Sequence, residues 1–159
     1  MRIKRYAINF LLPVVWPLIK LYWRLFKPET HGVRMLITHP EDKNKILLVL
    51  HSYGNKSLWN IPGGGYNPKK ESPLFAAKRE IREEFQKELE SVKEVGLYET
   101  TGEGKRDRVV IFVGEVSYPI FNELDPEISK VSWEDTETVL QREDVAKIVK
   151  YAIRLHLSA

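Results

Sequence analysis

From residue 33 onward, apolar and polar positions fall into short blocks whose period switches between that of strands and that of helices. Residues 33–38 predict a strand. Lys45–His51 is a nearly continuous apolar run, suited to a strand buried on both faces. Pro40, Glu41, Asp42, Lys43 and Asn44 between them are turn chemistry, so the two strands form a hairpin. A polar loop holding Gly54-Asn55 leads to a short strand at 58–61, stopped by Pro62 and followed by Gly63-Gly64-Gly65. Further strands are predicted at 92–101 and 109–116, joined by a polar loop at 101–108, and an edge-like alternating strand at 127–133. A short helical turn at 136–140 follows. A helix at 143–157 then carries Val145, Ile148, Val149, Ala152, Ile153 and Leu157 on one side.

Between the glycines and residue 92 lies the stretch with the most chemistry. Ser72-Pro73 starts a helix, with Ser72 as the cap and proline in the first turn. Taking about 100° per residue, Leu74, Ala77, Ile81 and Phe85 share an arc of about 80° that packs on the sheet. Glu80, Glu83 and Glu84 share a neighbouring arc of about 100° at the rim of that face. Carboxylates three and four residues apart on a helix repel one another. Either Lys78, Arg79 and Arg82 offset them on a solvated face, or they hold a cation. Beside a glycine turn whose N–H groups face phosphate and whose carbonyls face a metal, they suit Mg2+, which takes oxygen ligands and is often shared with substrate phosphates.

Composition narrows the class. The 159 residues are 43% hydrophobic and 30% charged, which excludes a disordered chain and allows one domain with a sizeable core. There is no cysteine, so disulfides and thiolate metal sites are excluded, and a reducing, cytoplasmic location fits. Residues 1–27 hold Arg2, Lys4, Arg5, Lys20, Arg24 and Lys27 and no acid. These six positives exceed the chain's net charge of +3, so the remainder is mildly acidic, against a broad nucleic-acid-binding surface. The same segment is apolar from Tyr6 to Ile19 and carries Trp16, Tyr22 and Trp23. Asn9, Pro13, Pro17 and Lys20 interrupt it, so as a span of about 20 apolar residues it is marginal. No small-residue cleavage site follows, as a signal peptide would require. Two readings stay open: an interfacial segment peripheral to a membrane surface, or an arm packed on its own domain or in a homodimer. Pro28 ends it, giving an apolar, basic N-terminal segment at 1–28 and a domain at 29–159.

Gly65, five residues, Glu71, seven residues and then Arg79-Glu80-Ile81-Arg82-Glu83-Glu84-Phe85 resembles the box of the Nudix hydrolase family. The preceding run from Trp59 to Gly65 and the later Pro126-Glu127-Ile128 leading to Trp133 also resemble that family, and the likeness covers residues 32–157. It implies an α/β fold, an α/β/α sandwich around a mixed sheet. It also implies Mg2+-assisted hydrolysis, with Mn2+ as a substitute, of a nucleoside diphosphate linked to another group. Carried over residue by residue, Glu80, Glu83 and Glu84 are metal carboxylates, and Gly64 or Gly65 offers a carbonyl. Arg79 braces the glutamates, and Glu71 orients the loop and the helix start. The attacking water gives its proton to a box glutamate, Glu83 or Glu84, or to an acid outside the box, with Glu127 ahead of Glu115 and Glu103.

Arg34, His51, Lys69 or Lys70, and the backbone of Gly63 and Gly64 are the implied phosphate contacts, with Arg106 and Arg108 behind them. Tyr53, Trp59 and Tyr66 stack on a base or pack. The implied substrate is a nucleotide-type small molecule, within a family range that spans nucleoside triphosphates, sugar nucleotides, dinucleotide polyphosphates and capped RNA ends. Loops 52–57 and 101–108 are the expected selectors. One position departs from the pattern: Gln86-Lys87 stands where the family has glycine and an apolar residue. A left-handed non-glycine residue costs about 1–2 kcal/mol. The departure predicts a longer helix or a rearranged turn, with Leu89 supplying the apolar contact. It also keeps a second reading open, a nucleotide-binding or regulatory module that has lost turnover.

Overall fold

The computed structural model describes residues 18, 21–23, 25–52, 54–101, 105–121 and 124–158. Tyr53, Glu103 and most of the N-terminal segment, each singled out above, lie outside the described residues.

Five strands form a mixed sheet in the order β3–β4–β1–β2–β5: β1 Glu29–Thr38, β2 Lys45–His51, β3 Leu89–Thr100, β4 Arg106–Val116 and β5 Ile128–Asp135. The helices are α1 Pro73–Phe85, α2 Thr136–Gln141 and α3 Lys147–Leu157. Residues 21–23 and 25–26 are helical as well. Because strand side chains alternate in direction, β2 sends Leu47 and Val49 to one core and Ile46 and Leu48 to another. Ala76, Ala77, Ile81 and Phe85 of α1 complete the first core. Val149, Ala152 and Ile153 of α3, with Val139 of α2, complete the second. The sheet is thus covered on both faces, as the unbroken apolar run of β2 requires. β1 and β2 pair antiparallel, with Thr38 opposite Ile46. β2 also pairs antiparallel with β5, from Lys45 opposite Asp135 to Leu50 opposite Lys130. β5 is an edge strand, as its alternation predicts.

Several boundaries differ from the sequence expectation. Residues 58–61 make only isolated bridges, Val49 with Asn60 and Trp59 with Val145. Trp59 donates its N–H to Asp144 and accepts from Ala146, and Pro62 has no N–H to extend a ladder. The same bridge holds residues 144–146 extended, so α3 starts at Lys147. Leu74 and Leu157 are exposed, and Ala76 takes the core position at the start of α1. Helix α1 ends at Phe85 because Gln86 adopts φ 54°, ψ 36°, and its N–H returns to the Arg82 carbonyl at 3.0 Å. Gln86 therefore takes the left-handed stop itself, and Leu89 joins Phe85 in the first core.

The chain divides into two compact units. One holds residues 1–30 and 99–108. Within it Arg106 N–H donates to the Pro28 carbonyl at 3.0 Å, and Thr30 hydroxyl donates to the Asp107 carboxylate. The other, 31–98 and 109–159, holds both cores and the whole glutamate helix. No helix among the described residues is long and apolar enough to cross a membrane.

Candidate active site

The glycine run is laid along β1. Met35 N–H donates to the Pro62 carbonyl at 2.9 Å, Val33 N–H to the Gly64 carbonyl at 2.9 Å, and Tyr66 N–H to the His31 carbonyl at 3.0 Å. Gly63 has φ +132°, and a Cβ there would stand 2.2 Å from the Val33 carbonyl oxygen, so no side chain fits. A Cβ on Gly64 would stand 2.5 Å from the Glu80 carboxylate. The missing side chain leaves Glu80 its place against the turn. Ser72 Oγ accepts from Phe75 N–H at 3.2 Å, and Pro73 opens α1, which sets the phase of the helix beneath the glycines.

Arg79 is the centre of the polar cluster. Its Nε and Nη2 donate to Glu71 Oε2 and Oε1 at 3.1 and 3.0 Å. Its Nη1 donates to Glu80 at 2.8 Å and to Glu83 at 3.2 Å, and Nη2 reaches the Gly65 carbonyl at 3.3 Å. The hydrogen bonds it donates to Glu71, ahead of the one to Glu80, hold the guanidinium pKa above its ordinary value.

Glu84 points inward and is 9% exposed. Burial, reinforced by the charge of Glu80, pushes its pKa up to about 8, against the pull of Arg34 and the Gly63 N–H; the charge of Glu127 adds to the rise. Its Oε2 is buried with no hydrogen-bond partner. Burial also raises Glu80, with Arg79 pulling it down and Glu83 pushing it up. His51 is held below its ordinary value by burial and then by Arg34, against its bond to the Glu127 backbone. Arg34 donates to the Gly63 carbonyl. The end of β2 is tied to the Glu127 segment, since Ser52 N–H donates to the Glu127 carbonyl at 2.8 Å and Ser52 Oγ to Pro126 at 2.7 Å.

Glu71, Arg79, Glu80, Glu83 and Glu84, with Gly63, Gly64 and Gly65, are thus one cluster, and Arg34 and Glu127 act on it electrostatically. Other predicted residues stand apart. Lys69 is exposed on a turn closed by Asn67, whose Oδ1 accepts the Lys69 N–H at 2.9 Å, and Lys70 N–H bonds the Asn67 carbonyl. Glu115 pairs with Lys43. Arg108 pairs with Glu99 at 3.0 Å and Glu29 at 3.8 Å. Trp59 lies under the Arg142 guanidinium at 5.4 Å, and Tyr66 packs on the first core beside His31. The sequence reading missed Asp125. Its N–H donates to the Glu84 carbonyl at 3.0 Å, and its Oδ1 accepts the Glu127 N–H at 3.0 Å. The Asp125-Pro126 turn dipeptide was the available signal.

Among the described residues, no three carboxylate or imidazole side chains converge closely enough to cage an ion by themselves. Arg79 bonds Glu71, Glu80 and Glu83 instead. The donor set nevertheless fits a divalent cation. A buried carboxylate oxygen with no partner, beside the partly buried carboxylate of Glu80, is an arrangement that gains from a cation with oxygen ligands.

Comparison with known proteins identifies the class to which the chain belongs. A profile of the NUDIX domain matches residues 29–155. The chain belongs to the NUDIX family and to its class, hydrolases acting on acid anhydrides in phosphorus-containing compounds. No curated protein matches the chain in sequence. Among solved structures, the NUDIX domain of Shewanella oneidensis NrtR in complex with ADP ribose is 20% identical with a TM-score of 0.69, over 84% of this chain and 90% of that one. A NUDIX hydrolase from Nitrosomonas europaea is 23% identical with a TM-score of 0.68, over 82% and 89%. An Ap4A hydrolase from C. elegans is 22% identical with a TM-score of 0.66, over 81% and 96%. These likenesses are of fold.

Proposed function

We propose that the chain hydrolyses a diphosphate linkage in a nucleoside diphosphate derivative, with Mg2+, or Mn2+ in its place, as cofactor. The observation that carries this reading is the buried Glu84 carboxylate, its Oε2 without a partner and its pKa raised by burial and by Glu80. Glu80, Glu83 and Glu84, with the Gly65 carbonyl, would hold the ion. When bound, it neutralises diphosphate charge and lowers the pKa of a water. Arg79 fixes the carboxylates of Glu80 and Glu83, and Glu71 fixes Arg79. Arg34 meets phosphate charge beside the Gly63-Gly64 backbone, with His51 and, from its separate exposed turn, Lys69 as the further phosphate contacts. Water attacks phosphorus, the bridging P–O bond breaks, and the water's proton passes to Glu127, with Glu83 or Glu84 as the other acceptors. Glu127 is favoured because its charge is already felt at Glu84. ADP ribose and Ap4A, which the names of two structural neighbours carry, both belong to the proposed substrate class.

The test is product analysis over a nucleotide panel that includes ADP ribose and a dinucleoside tetraphosphate, with Mg2+ and with Mn2+. Cleavage at a diphosphate, lost in Glu84→Gln, is expected. Ligand-induced stabilisation without turnover of any member would refute hydrolysis and restore the regulatory reading. That reading rested on Gln86-Lys87, and its support lapses because Gln86 adopts the glycine's conformation.

A further inference from the structure

The helical stretch before β1 carries an apolar stripe that the glutamate chemistry does not use. Leu18, Leu21, Tyr22, Leu25 and Phe26 are 66%, 55%, 52%, 67% and 68% exposed. At about 100° per residue they fall on one arc of about 140°, the width of a face that a helix ordinarily buries. The opposite side is engaged. The Trp23 ring lies 4.7 Å from the Lys105 ammonium, within the unit formed by residues 1–30 and 99–108. Lys27, at φ 44°, ends the helix with its N–H on the Trp23 carbonyl at 2.8 Å. Pro28 then accepts from Arg106 N–H at 3.0 Å. The helix is thereby pinned by one side, with the leucines, Tyr22 and Phe26 turned to solvent.

We propose that this stripe docks on an anionic phospholipid surface. Charge selects the occupant. Residues 1–27 contain six cations and no acid, and Lys20, Arg24 and Lys27 interleave with the stripe in the sequence. An anionic bilayer offsets that charge and receives the apolar side chains, with Tyr22 at headgroup depth. A second copy would instead set one all-positive segment against another. The stripe is also far smaller than the roughly 20–30 residues that each side of a stable protein interface presents. Among the described residues no helix is long and apolar enough to cross a membrane. The docking is independent of the hydrolase reading.

Vesicle flotation of the full chain tests it, with phosphatidylcholine vesicles against vesicles carrying about 30 mol% phosphatidylserine. The protein is expected to float only with the anionic vesicles, and to be released at about 1 M salt, where screening falls to about 3 Å. Leu21→Glu with Leu25→Glu, both at exposed positions, is expected to cut the bound fraction at least about tenfold while thermal unfolding stays unchanged. Failure to float with anionic vesicles would overturn the proposal, as would equal flotation with neutral ones. A dimer in sedimentation that the double variant dissolves would assign the stripe to a second copy instead.

Discussion

Arg79 and Glu71 meet as a two-pronged pair, Nε and Nη2 on the two carboxylate oxygens at 3.1 and 3.0 Å, while the remaining Nη1 holds Glu80 and Glu83. One guanidinium therefore fixes two glutamates of α1 and is itself fixed by the loop before that helix. A lysine has one point of charge and cannot match this fork.

Glu71→Gln and Arg79→Lys should each lower turnover about 10–100-fold, the usual scale for a residue that orients metal-binding side chains. The loss should appear in the dependence on Mg2+ concentration, because the carboxylates remain but are no longer held. Steady-state rates across an Mg2+ titration measure it.

Gly64→Ala and Gly65→Ala should separate sharply. A Cβ at 64 meets the Glu80 carboxylate at 2.5 Å, whereas at 65 the nearest atom is the His31 carbonyl oxygen at 3.7 Å. Because the obstructed group is the end of a side chain, Gly64→Ala should cost activity, about tenfold or more, with little loss of melting temperature. Gly65→Ala should be near neutral in both. Rates and calorimetry on the pair decide.

The metal-free protein should lose stability as pH rises. Glu84 titrates near 4.5 in the unfolded chain and near about 8 in the folded one. Between those values the folded form keeps a proton that the unfolded form has released, so stability falls from about pH 4.5 to about pH 8 and levels off above. In Glu84→Gln this slope should flatten. Mg2+ should raise the melting temperature most at the alkaline end, where the cation no longer competes with a proton. Calorimetry in chelator and in Mg2+ measures both.

Gln86→Gly should stabilise the fold by about 1 kcal/mol, because it relieves a left-handed non-glycine residue while keeping the helix stop. Activity should be unchanged, and urea denaturation reads the difference.

Much of this was legible because local chemistry and tertiary packing agree. Ser72-Pro73 caps where it should, and Ala77, Ile81 and Phe85 bury on the face their spacing defines. The two-sided burial of β2 was visible in its unbroken apolar run. The grouping of Glu71 with Arg79 came from family resemblance, since a pair eight positions apart across a loop–helix junction has no periodicity to announce it. Other features depended on partners distant in sequence. Glu84 was placed at the rim by spacing, yet it is buried, and that burial pushes its pKa up to about 8. Residues 58–61 look like a strand, but they make only single bridges, Asn60 with Val49 of β2 and Trp59 with Val145. The exposure of Leu74 likewise depends on where α1 meets the sheet, which its own sequence does not encode.

The bond from Asp125 N–H to the Glu84 carbonyl divides the connection that precedes β5 into two territories. From Asp125 onward the backbone is moored to α1, and Ser52 moors Glu127 to β2, so the proposed proton acceptor keeps its station whatever precedes it. Just upstream the connection is held by packing instead: Phe121 lies against Phe85 and Trp133, and Trp133 Nε1–H donates to the Pro119 carbonyl at 2.8 Å. A change in that upstream stretch is therefore felt first at Phe85 and Trp133 in the core, while Glu127 keeps its own backbone ties to Asp125 and Ser52.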